Sequence, residues 1–569
     1  MDVIGNYQED RASGTSFKSL GFLPTDPVTG AALGPSDPST GAALAAPDGF
    51  ECGRGLGLDR KVWGVTVIIN AGLNDSVRLT SITAYREFDS LEIFDADGIS
   101  LPVLTAAENA FGEQFSQEMR LSFEGERVNA FIGAPYFCED GFQRTPAQFD
   151  ERAVLASLAG ALNGPIPGTP ANQPAPLGVF ANTAITGALL RGVAQASGVA
   201  LSAAQAQAIA ANLKPGHLES ATNFGRTEAI DLFADATFQL TDALELGAGL
   251  RYTSDDKRSA ITGAVLNGRS ILGAFIGALS QPAPVRNALL GALSVPGAAS
   301  ISPSAAFPVP LFGLGLQPSA GNGNIVSAQI KDDGFTWRLN ARDALGAVSS
   351  LYASYARGRR PQLLSAATPA PPFGAPRFEP VEKERVDSFE IGARTETLGR
   401  TLFLDAALFY YLYDNFRTTV QEGTLFVTTT AGEAKSYGVE LQARWAPSEA
   451  LALFGTYAWN RSRFEAGIRE GNRFRLSPDH SASLGASLGL PIGPGRLEFV
   501  PTVTYQSEMF FDDDNDRPDL QQPPRALVAD LVQDELQGGS ALANARLGYA
   551  WDGGLRIDAY VTNLFDERY

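Results

Sequence analysis

Three arginines close together in the chain are the first candidates for a binding site. Arg357, Arg359 and Arg360 fall within LYASYARGRRP (351–361), at the end of a predicted strand. Guanidinium groups form paired hydrogen bonds with carboxylate and phosphate oxygens, so this cluster could bind an anionic ligand. The alternative interpretation is that the three side chains only contact water.

An acidic loop, FDDDNDRPD (511–519), is the second candidate. Asp512, Asp514 and Asp516 occupy alternating positions, as the first ligands of a calcium loop do. Arg517, however, stands where the glycine of the sharp turn belongs, and no glutamate follows at the offset that bidentate binding needs. The spacing therefore does not predict a metal site.

Catalytic signatures are absent from the sequence. It contains no Walker loop, GxSxG elbow, HExxH pair or cysteine–histidine pair, and its two histidines, His217 and His480, are far apart. The two cysteines, Cys52 and Cys138, leave open either a disulfide or two unpaired thiols. The net charge of −19 argues against nucleic acid as the main partner. We therefore expect neither an enzyme nor a cofactor.

The elements that would position these residues are β-hairpins. The clearest one runs through Ser436–Ala446, a turn at 447–449 and a second strand from Leu451. Apolar and polar residues alternate along it, and successive side chains of a strand point to opposite sides, so each strand has one apolar and one polar face. The polar faces of these hairpins carry Glu118, Arg120, Glu245, Arg251, Glu440, Arg444, Arg496, Glu498, Arg556 and Asp558.

The same unit recurs eight times along the chain. With an opening strand at Asp2–Glu9, the hairpins make 17 strands. In an antiparallel meander, alternate connections emerge at opposite ends, so one end should carry tight turns and the other long loops. The short turns lie near 73–75, 124–127, 240–243, 344–346, 398–400, 447–449, 491–495 and 551–553, and the long connections near 10–60, 89–112, 139–227, 258–332, 359–384, 421–434, 465–474 and 511–539.

Hydropathy alone does not separate a membrane barrel from a soluble antiparallel sheet, because the strands of both alternate. The longest apolar run, Ile271–Leu279, is too short for a membrane-spanning helix. Two features favour the barrel. Many predicted strands exceed the usual strand length, and all five tryptophans lie in or at the ends of strands, with Trp445 and Trp551 beside short turns, as an interfacial girdle requires.

The long loops contain weaker helix signals. The sequence Ser202–Gln205 matches a capping box and predicts a helix over Ala206–Leu213. Val154, Leu155, Leu158 and Leu162 form a second apolar stripe with helical spacing.

Eight stretches of the sequence, taken in order, resemble strand signatures of the barrel of TonB-dependent outer-membrane receptors. The resemblance covers essentially the whole chain, which is interpreted as one barrel domain over 1–569. The stretches are LTSITAYREF (79–88), FSQEMRLSFEG (115–125), LELGAGLRYTSDDKR (244–258), LYASYARGRRP (351–361), VDSFEIGARTE (386–396), AALFYYLYDNF (406–416), SYGVELQARW (436–445) and YVTNLFDERY (560–569).

This resemblance implies an all-β, antiparallel, up-and-down transmembrane barrel with short periplasmic turns and long extracellular loops. Family barrels have about 22 strands around a plug domain. The 17 predicted strands match the fifth to the twenty-first, and YVTNLFDERY resembles the strand before the family's closing strand. We therefore expect a curved, incomplete wall, truncated at both ends and without the plug, the TonB-contacting box, the signal peptide and the last strand.

The resemblance also implies a function in the outer membrane of a Gram-negative cell. In the family, a scarce nutrient, most often a ferric siderophore, binds to the extracellular loops and the plug, and TonB supplies the energy for uptake. The expected partners are membrane lipid, lipopolysaccharide, a small-molecule ligand, and TonB only through the missing plug and box. Arg357, Arg359 and Arg360 would contact an anionic siderophore or, alternatively, lipopolysaccharide phosphates.

Two other functions remain open at this stage. The absence of a plug favours a passive, porin-like channel, although porins have about 16–18 strands and the length and loops here are those of the larger receptors. A soluble β-rich binding protein is the third reading.

Overall fold

The computed structural model shows a single large antiparallel sheet with helices and small hairpins at one end. It describes residues 1–15, 17, 19, 22–23, 25–26, 28–32, 49–162, 166, 168–304, 317–369, 372–422, 425–522 and 532–568.

Twenty-three strands are present in the described residues, and 17 of them form the sheet. They are β1 (Asp2–Ala12), β2 (Gly57–Gly72), β3 (Val77–Asp95), β4 (Leu104–Glu124), β5 (Val128–Phe149), β6 (His217–Gln239), β7 (Leu244–Val265), β8 (Val326–Ala344), β9 (Ser349–Arg360), β10 (Leu363–Ala367), β11 (Arg377–Val381), β12 (Glu384–Thr397), β13 (Leu402–Asp414), β14 (Arg417–Glu422), β15 (Leu425–Thr430), β16 (Ala434–Ser448), β17 (Leu451–Phe464), β18 (His480–Pro491), β19 (Gly495–Gln506), β20 (Met509–Phe510), β21 (Leu536–Gln537), β22 (Ser540–Trp551) and β23 (Arg556–Val561).

The sheet is a simple meander. Each wall strand pairs antiparallel with its neighbours in the chain, and the three two-stranded hairpins β10–β11, β14–β15 and β20–β21 lie outside it. Within the described residues, β1 pairs only with β2 and β23 only with β22, so the sheet does not close. The prediction of 17 strands in a curved, incomplete wall is confirmed.

Short and long connections alternate as expected. The turn between β16 and β17 has two residues, and the turn between β12 and β13 has four, from Leu398 to Thr401. Leu398, Gly399 and Arg400 all have positive φ, which lets so short a turn reverse the chain. The tight turns therefore occupy one end of the wall and the long loops the other.

The two faces of the wall differ as the alternation predicts. Along β16, Tyr437, Val439, Leu441 and Trp445 point outward, and Leu441 is 44% exposed although it is a large apolar residue. Ile557 on β23 is 58% exposed on the same face. No second layer of protein covers these side chains in the described part of the chain, so they face lipid. Nine residues of a tilted strand cover about 25 Å of membrane, the height of such a band.

Aromatic residues mark the outer boundary of this apolar band. Trp63 donates its indole N–H to Glu87 at 3.1 Å, and the Tyr85 hydroxyl donates to Glu113 at 2.9 Å. The next outward-facing positions along the strands are charged. Tyrosine and tryptophan prefer this level because their rings contact lipid while their polar atoms reach the aqueous side.

Four strands, β4 to β7, rise well above that boundary. They contain 21 to 23 residues, whereas a membrane-spanning strand needs about 9–11. Their upper halves therefore stand outside the membrane.

The opposite face of the wall is lined by ion pairs. Arg338 on β8 binds Asp235 on β6 through two hydrogen bonds of 2.7 and 2.8 Å, and Arg394 binds Asp405 at 2.7 Å. Near the tight turns, Glu498 and Asp558 pair with two arginines, Arg546 and Arg556. This charged face is the lumen side.

In the described residues, six helices from two loops form a compact module above β5 to β7. They are α1 (Glu151–Leu158), α2 (Leu177–Phe180), α3 (Thr183–Ala196), α4 (Ala203–Ala210), α5 (Ile271–Leu279) and α6 (Ala283–Leu293). Their core includes Leu155, Leu190 and Phe275 and is continuous with Ala147 and Phe149 on the lumen side of β5. The module therefore packs against the lumen face of the wall at its extracellular end.

Candidate ligand-binding vestibule

Arg359, one of the three predicted binding residues, lies in a buried charge cluster. Its guanidinium group binds Asp332 at 2.6 Å and Asp255 at 2.8 Å, and all three side chains are less than a tenth exposed. Strands β8 and β9 are paired only as far as Trp337 and Arg357. Beyond that pair, the Arg359 side chain lies over Gly334, which has no side chain to block it. Lys383 adds a second cation to Asp332 at 2.9 Å.

Arg357 lies on the outward face instead. It forms a bidentate pair with Asp387 at 2.8 and 2.5 Å, and its guanidinium carbon lies 4.8 Å from the centre of the Trp337 ring. The Tyr355 hydroxyl donates to the same Asp387 carboxylate, and its ring stacks on Phe389. Arg357 therefore belongs to the boundary between the membrane and water.

Arg360 is the most accessible of the three. Its side chain is 63% exposed and binds Glu384 at 3.1 Å. Arg417, from β14, approaches the same place: its guanidinium group donates to the carbonyl oxygens of Pro361 and Glu382. The structure thus separates the three arginines into a lipid-boundary residue, a buried residue and an exposed residue rather than one basic patch.

Two small hairpins pack over these charges. β10–β11 lies beside β7 and β8, and β14–β15 contacts β10, where the Thr428 amide donates to the Ser365 hydroxyl at 3.2 Å. Nearby, Phe416, Phe464 and Phe474 form an aromatic cluster with ring centres about 5 Å apart. The extracellular loops therefore fold against one another above the wall.

The acidic loop holds an arginine. Arg469, from the preceding loop, lies 3.0 Å from Asp513 and 3.2 Å from Asp514, and its side chain is only 7% exposed. Asn472 donates to the carbonyl oxygens of Asp513 and Asp514, which fixes the two loops together. Among the described residues, no group of three or more His, Cys, Asp or Glu side chains is arranged to hold a metal ion.

A buried polar network joins helices α1 and α5 to the loop that precedes β6. The Glu151 carboxylate accepts hydrogen bonds from the Ser270 hydroxyl at 2.6 Å and from the amides of Lys214 and Leu272. Burial raises the pKa of Glu151, while those donors act in the opposite direction. Burial also lowers the pKa of Lys214 to about 8; its ammonium donates to the carbonyl oxygen of Gly268 at 2.7 Å. Sequence periodicity gave no signal for this network because its members lie on separate elements.

A second loop carries an unusual carboxyl group. Asp97 accepts hydrogen bonds from the amides of Leu104 and Ile99, at 2.7 and 3.2 Å. Burial, with a contribution from the neighbouring Asp95 carboxylate, raises the pKa of Asp97 to about 7.

The two cysteines are not bonded to each other. Cys52 is exposed in a short 3₁₀ segment, Phe50–Gly53, and Cys138 lies partly buried on β5. Of the two outcomes the sequence left open, the structure shows two unpaired thiols.

No helix in the described part of the chain is long and apolar enough to cross a membrane.

Similarity to known proteins agrees with this architecture. The pesticin receptor of Yersinia pestis is 24% identical over 356 residues, which are 62% of this chain and 41% of that protein. The ferrioxamine receptor of Yersinia enterocolitica is 27% identical over 229 residues, or 39% of this chain and 28% of that receptor. The chain thus spans less than half the length of these curated relatives.

Solved structures share the fold. The ferric yersiniabactin uptake receptor FyuA from Yersinia pestis superimposes with a TM-score of 0.57 at 17% identity, over 90% of this chain and 57% of that one. The closed form of the ferric-catecholate import receptor Fiu from Escherichia coli K12 superimposes with a TM-score of 0.54 at 15% identity. The match covers 100% of this chain and 68% of that one. The family model described as "TonB dependent receptor-like, beta-barrel" matches residues 46–564. The chain therefore belongs to the TonB-dependent receptor family, as part of its outer-membrane β-barrel.

Proposed function

We propose that residues 1–569 form the wall of a receptor that takes up a ferric siderophore across the outer membrane. The observation that carries this proposal is the two-faced wall: an apolar band faces lipid, and the lumen face, ending under folded extracellular loops, carries paired charges such as Asp235 and Arg338. The receptors for pesticin and ferrioxamine and the uptake receptor for ferric yersiniabactin are similar to this chain and support the same reading.

The transport proposed here is non-covalent binding and passage without catalysis. We propose that TonB provides the energy through parts of the receptor other than this wall, and that the outward charged positions above the aromatic boundary contact lipopolysaccharide. The net charge of −19 is unfavourable for nucleic acid, so we propose no nucleic-acid partner.

Of the three arginines first considered, Arg360 is the one we propose for ligand contact. It is mostly exposed, and among the residues that the structure describes its single acidic partner is Glu384. Arg357 and Arg359 would then not contact the ligand. Arg357 anchors the wall at the membrane boundary, and Arg359 holds the upper ends of β7 and β8 together.

The test is uptake of radiolabelled ferric siderophores by iron-starved cells that lack other receptors and carry the whole gene of the receptor whose wall this chain forms. We expect uptake that stops when tonB is deleted or the proton gradient is collapsed. A passive, porin-like channel predicts the opposite result, namely transport that is indifferent to both treatments. That outcome would refute the receptor proposal.

A further inference from the structure

Three glycines form a continuous row across the lumen face of the tall strands. Gly112 on β4 is paired directly with Gly141 on β5, and Gly141 is paired with Gly225 on β6. All three have the strand parity of lumen-facing residues, opposite to the lipid-facing Met119 and Ile132. Neighbouring strands lie about 4.8 Å apart, so the row makes a strip without Cβ atoms roughly 10 Å wide. The Phe88 ring covers its Gly112 end, and the backbone is bare at Gly141 and Gly225.

Packing explains two of these glycines but not the third. A Cβ atom at Gly141 would lie 2.6 Å from the carbonyl oxygen of Phe111, and one at Gly112 would lie 2.5 Å from the Phe88 ring. A Cβ atom at Gly225 would meet no heavy atom within 4 Å, and its backbone is ordinary strand. The absence of a side chain at Gly225 therefore leaves open space rather than relieving a clash.

The row is the floor of a depression of about 780 Å³. Phe88, which is paired with Gly112 and 40% exposed, forms one side of it. The rows two residues above and below carry polar side chains, and each lies about 7 Å along the strand from the glycines. A flat, partly apolar surface bordered by hydrogen-bonding groups is typical of small-molecule sites.

The lower border contains a cation without a partner. Arg86 is paired with Gln114, which is paired with Glu139, so these three side chains lie side by side beneath the glycine row. In the part of the chain that the structure describes, Arg86 is exposed and makes no ion pair or hydrogen bond through its side chain. By contrast, Arg60 on the upper border is already bound to Asp10 at 2.7 Å.

We propose that this depression binds a planar, oxygen-bearing aromatic ring of an anionic ligand. A flat ring can lie against peptide planes only where no Cβ atoms project, and Gly141 and Gly225 provide that surface beside the Phe88 ring, which covers Gly112. Phe88 offers its ring to the ligand's edge or face, an arrangement that aromatic pairs prefer. Arg86 supplies the cation for the anionic oxygens and a guanidinium plane for stacking. The inference deepens the proposed function and rests on it for the presence of iron.

The experiment measures the affinity of the detergent-solubilised chain for three probes by equilibrium dialysis. The probes are ferric tris-catecholate, ferric citrate and iron-free catechol carboxylate. We expect tris-catecholate to bind more tightly than citrate. Gly225→Leu should weaken that binding at least tenfold, because the new side chain fills the floor without touching protein. Arg86→Gln should weaken it several-fold for the anionic aromatic probes.

Matched controls use the same substitutions on the same face. Gly72 lies at the end of β2 beside the tight turns, away from the depression, and a Cβ atom there also meets nothing within 4 Å. Arg78 is paired with it on β3. Gly72→Leu and Arg78→Gln should bind as the unaltered chain does. An equal loss in these controls, or no loss in Gly225→Leu, would overturn the proposal.

The three probes separate this site from the proposed function. If iron-free catechol carboxylate binds in a Gly225-sensitive way but neither ferric complex does, the aromatic site stands and iron uptake fails. If both ferric complexes bind and Gly225→Leu leaves them unchanged, iron uptake stands and the aromatic site fails. Failure of every probe to bind the unaltered chain would overturn the aromatic site as well.

Discussion

Replacing Arg359 by methionine tests the buried charge cluster at the top of the lumen wall. Arg359 is 6% exposed between Asp255 and Asp332, so methionine would leave two nearly buried carboxylates without their main cation. Breaking such a buried pair costs about 3–5 kcal/mol, because the remaining charge keeps its desolvation penalty. At about 1.4 kcal/mol per factor of ten, amide exchange in the upper parts of β7 and β8 should speed up roughly 100- to 4,000-fold.

Hydrogen–deuterium exchange with mass spectrometry makes this measurement, and the chain offers a close control. Arg360 is the next residue, pairs with the carboxylate of Glu384, and is 63% exposed. Arg360→Met should cost at most about 1 kcal/mol, since exposed ion pairs contribute little. A second change, Asp255→Asn, should restore part of the protection lost in Arg359→Met. Equal exchange in the two methionine variants would refute the reasoning.

Three further predictions concern the extracellular loops. Arg469→Met should expose the acidic loop to proteolysis, and millimolar calcium should restore protection because Asp513 and Asp514 regain a cation; an unchanged digest without calcium would contradict this. Asp97 binds a proton more tightly in the folded loop than in the unfolded one, because its pKa is raised to about 7. Its stabilising contribution is therefore full below about pH 4 and is lost as pH rises through 7. Asp97→Asn should abolish this pH dependence of loop stability, measured by hydrogen exchange of the Leu104 amide. Leu155→Ala should destabilise the helical module by about 2–5 kcal/mol in thermal melts, whereas Leu158→Ala on the same helix should cost under 1 kcal/mol, since Leu155 is 0% and Leu158 52% exposed.

The strands that cross the membrane could be predicted from the sequence because lipid and water impose a strict period of two. Leu441 and Gln442 illustrate this: one faces outward and the other lies on the lumen side, as their alternation indicates. The same alternation predicted the number of strands, which is confirmed together with the family assignment and the open sheet.

The upper halves of the tall strands could not be predicted. The pattern ends the second strand of one hairpin at Cys138, but β5 continues to Phe149. Above the membrane both faces meet water or loops, so polar residues such as Glu139 and Asp140 occupy consecutive positions and the alternation disappears. The glycine row lies in this same region, where register between strands, rather than any local motif, brings its members together.

The loop helices were predicted in part. Ser202 caps α4 as expected, accepting a hydrogen bond from the Gln205 amide at 3.2 Å, but the helix runs over Ala203–Ala210 rather than Ala206–Leu213. The stripe from Val154 to Leu162 is only partly helical: α1 ends at Leu158, and Leu162 is buried beyond it. Small hairpins such as β10–β11 could not be predicted from the sequence, because contacts with wall strands and other loops hold them in place rather than a local sequence pattern.

The central claim is that the apolar side of the wall meets lipid and the charged side meets an aqueous lumen. Spin labels placed one at a time at 439, 440, 441 and 442 of β16, in outer-membrane preparations of a variant with Cys52 and Cys138 replaced by serine, test it most directly. Oxygen collisions should dominate at Val439 and Leu441, and collisions with a water-soluble nickel complex at Glu440 and Gln442. Equal accessibility to both reagents at all four positions, or the reversed alternation, would contradict the account.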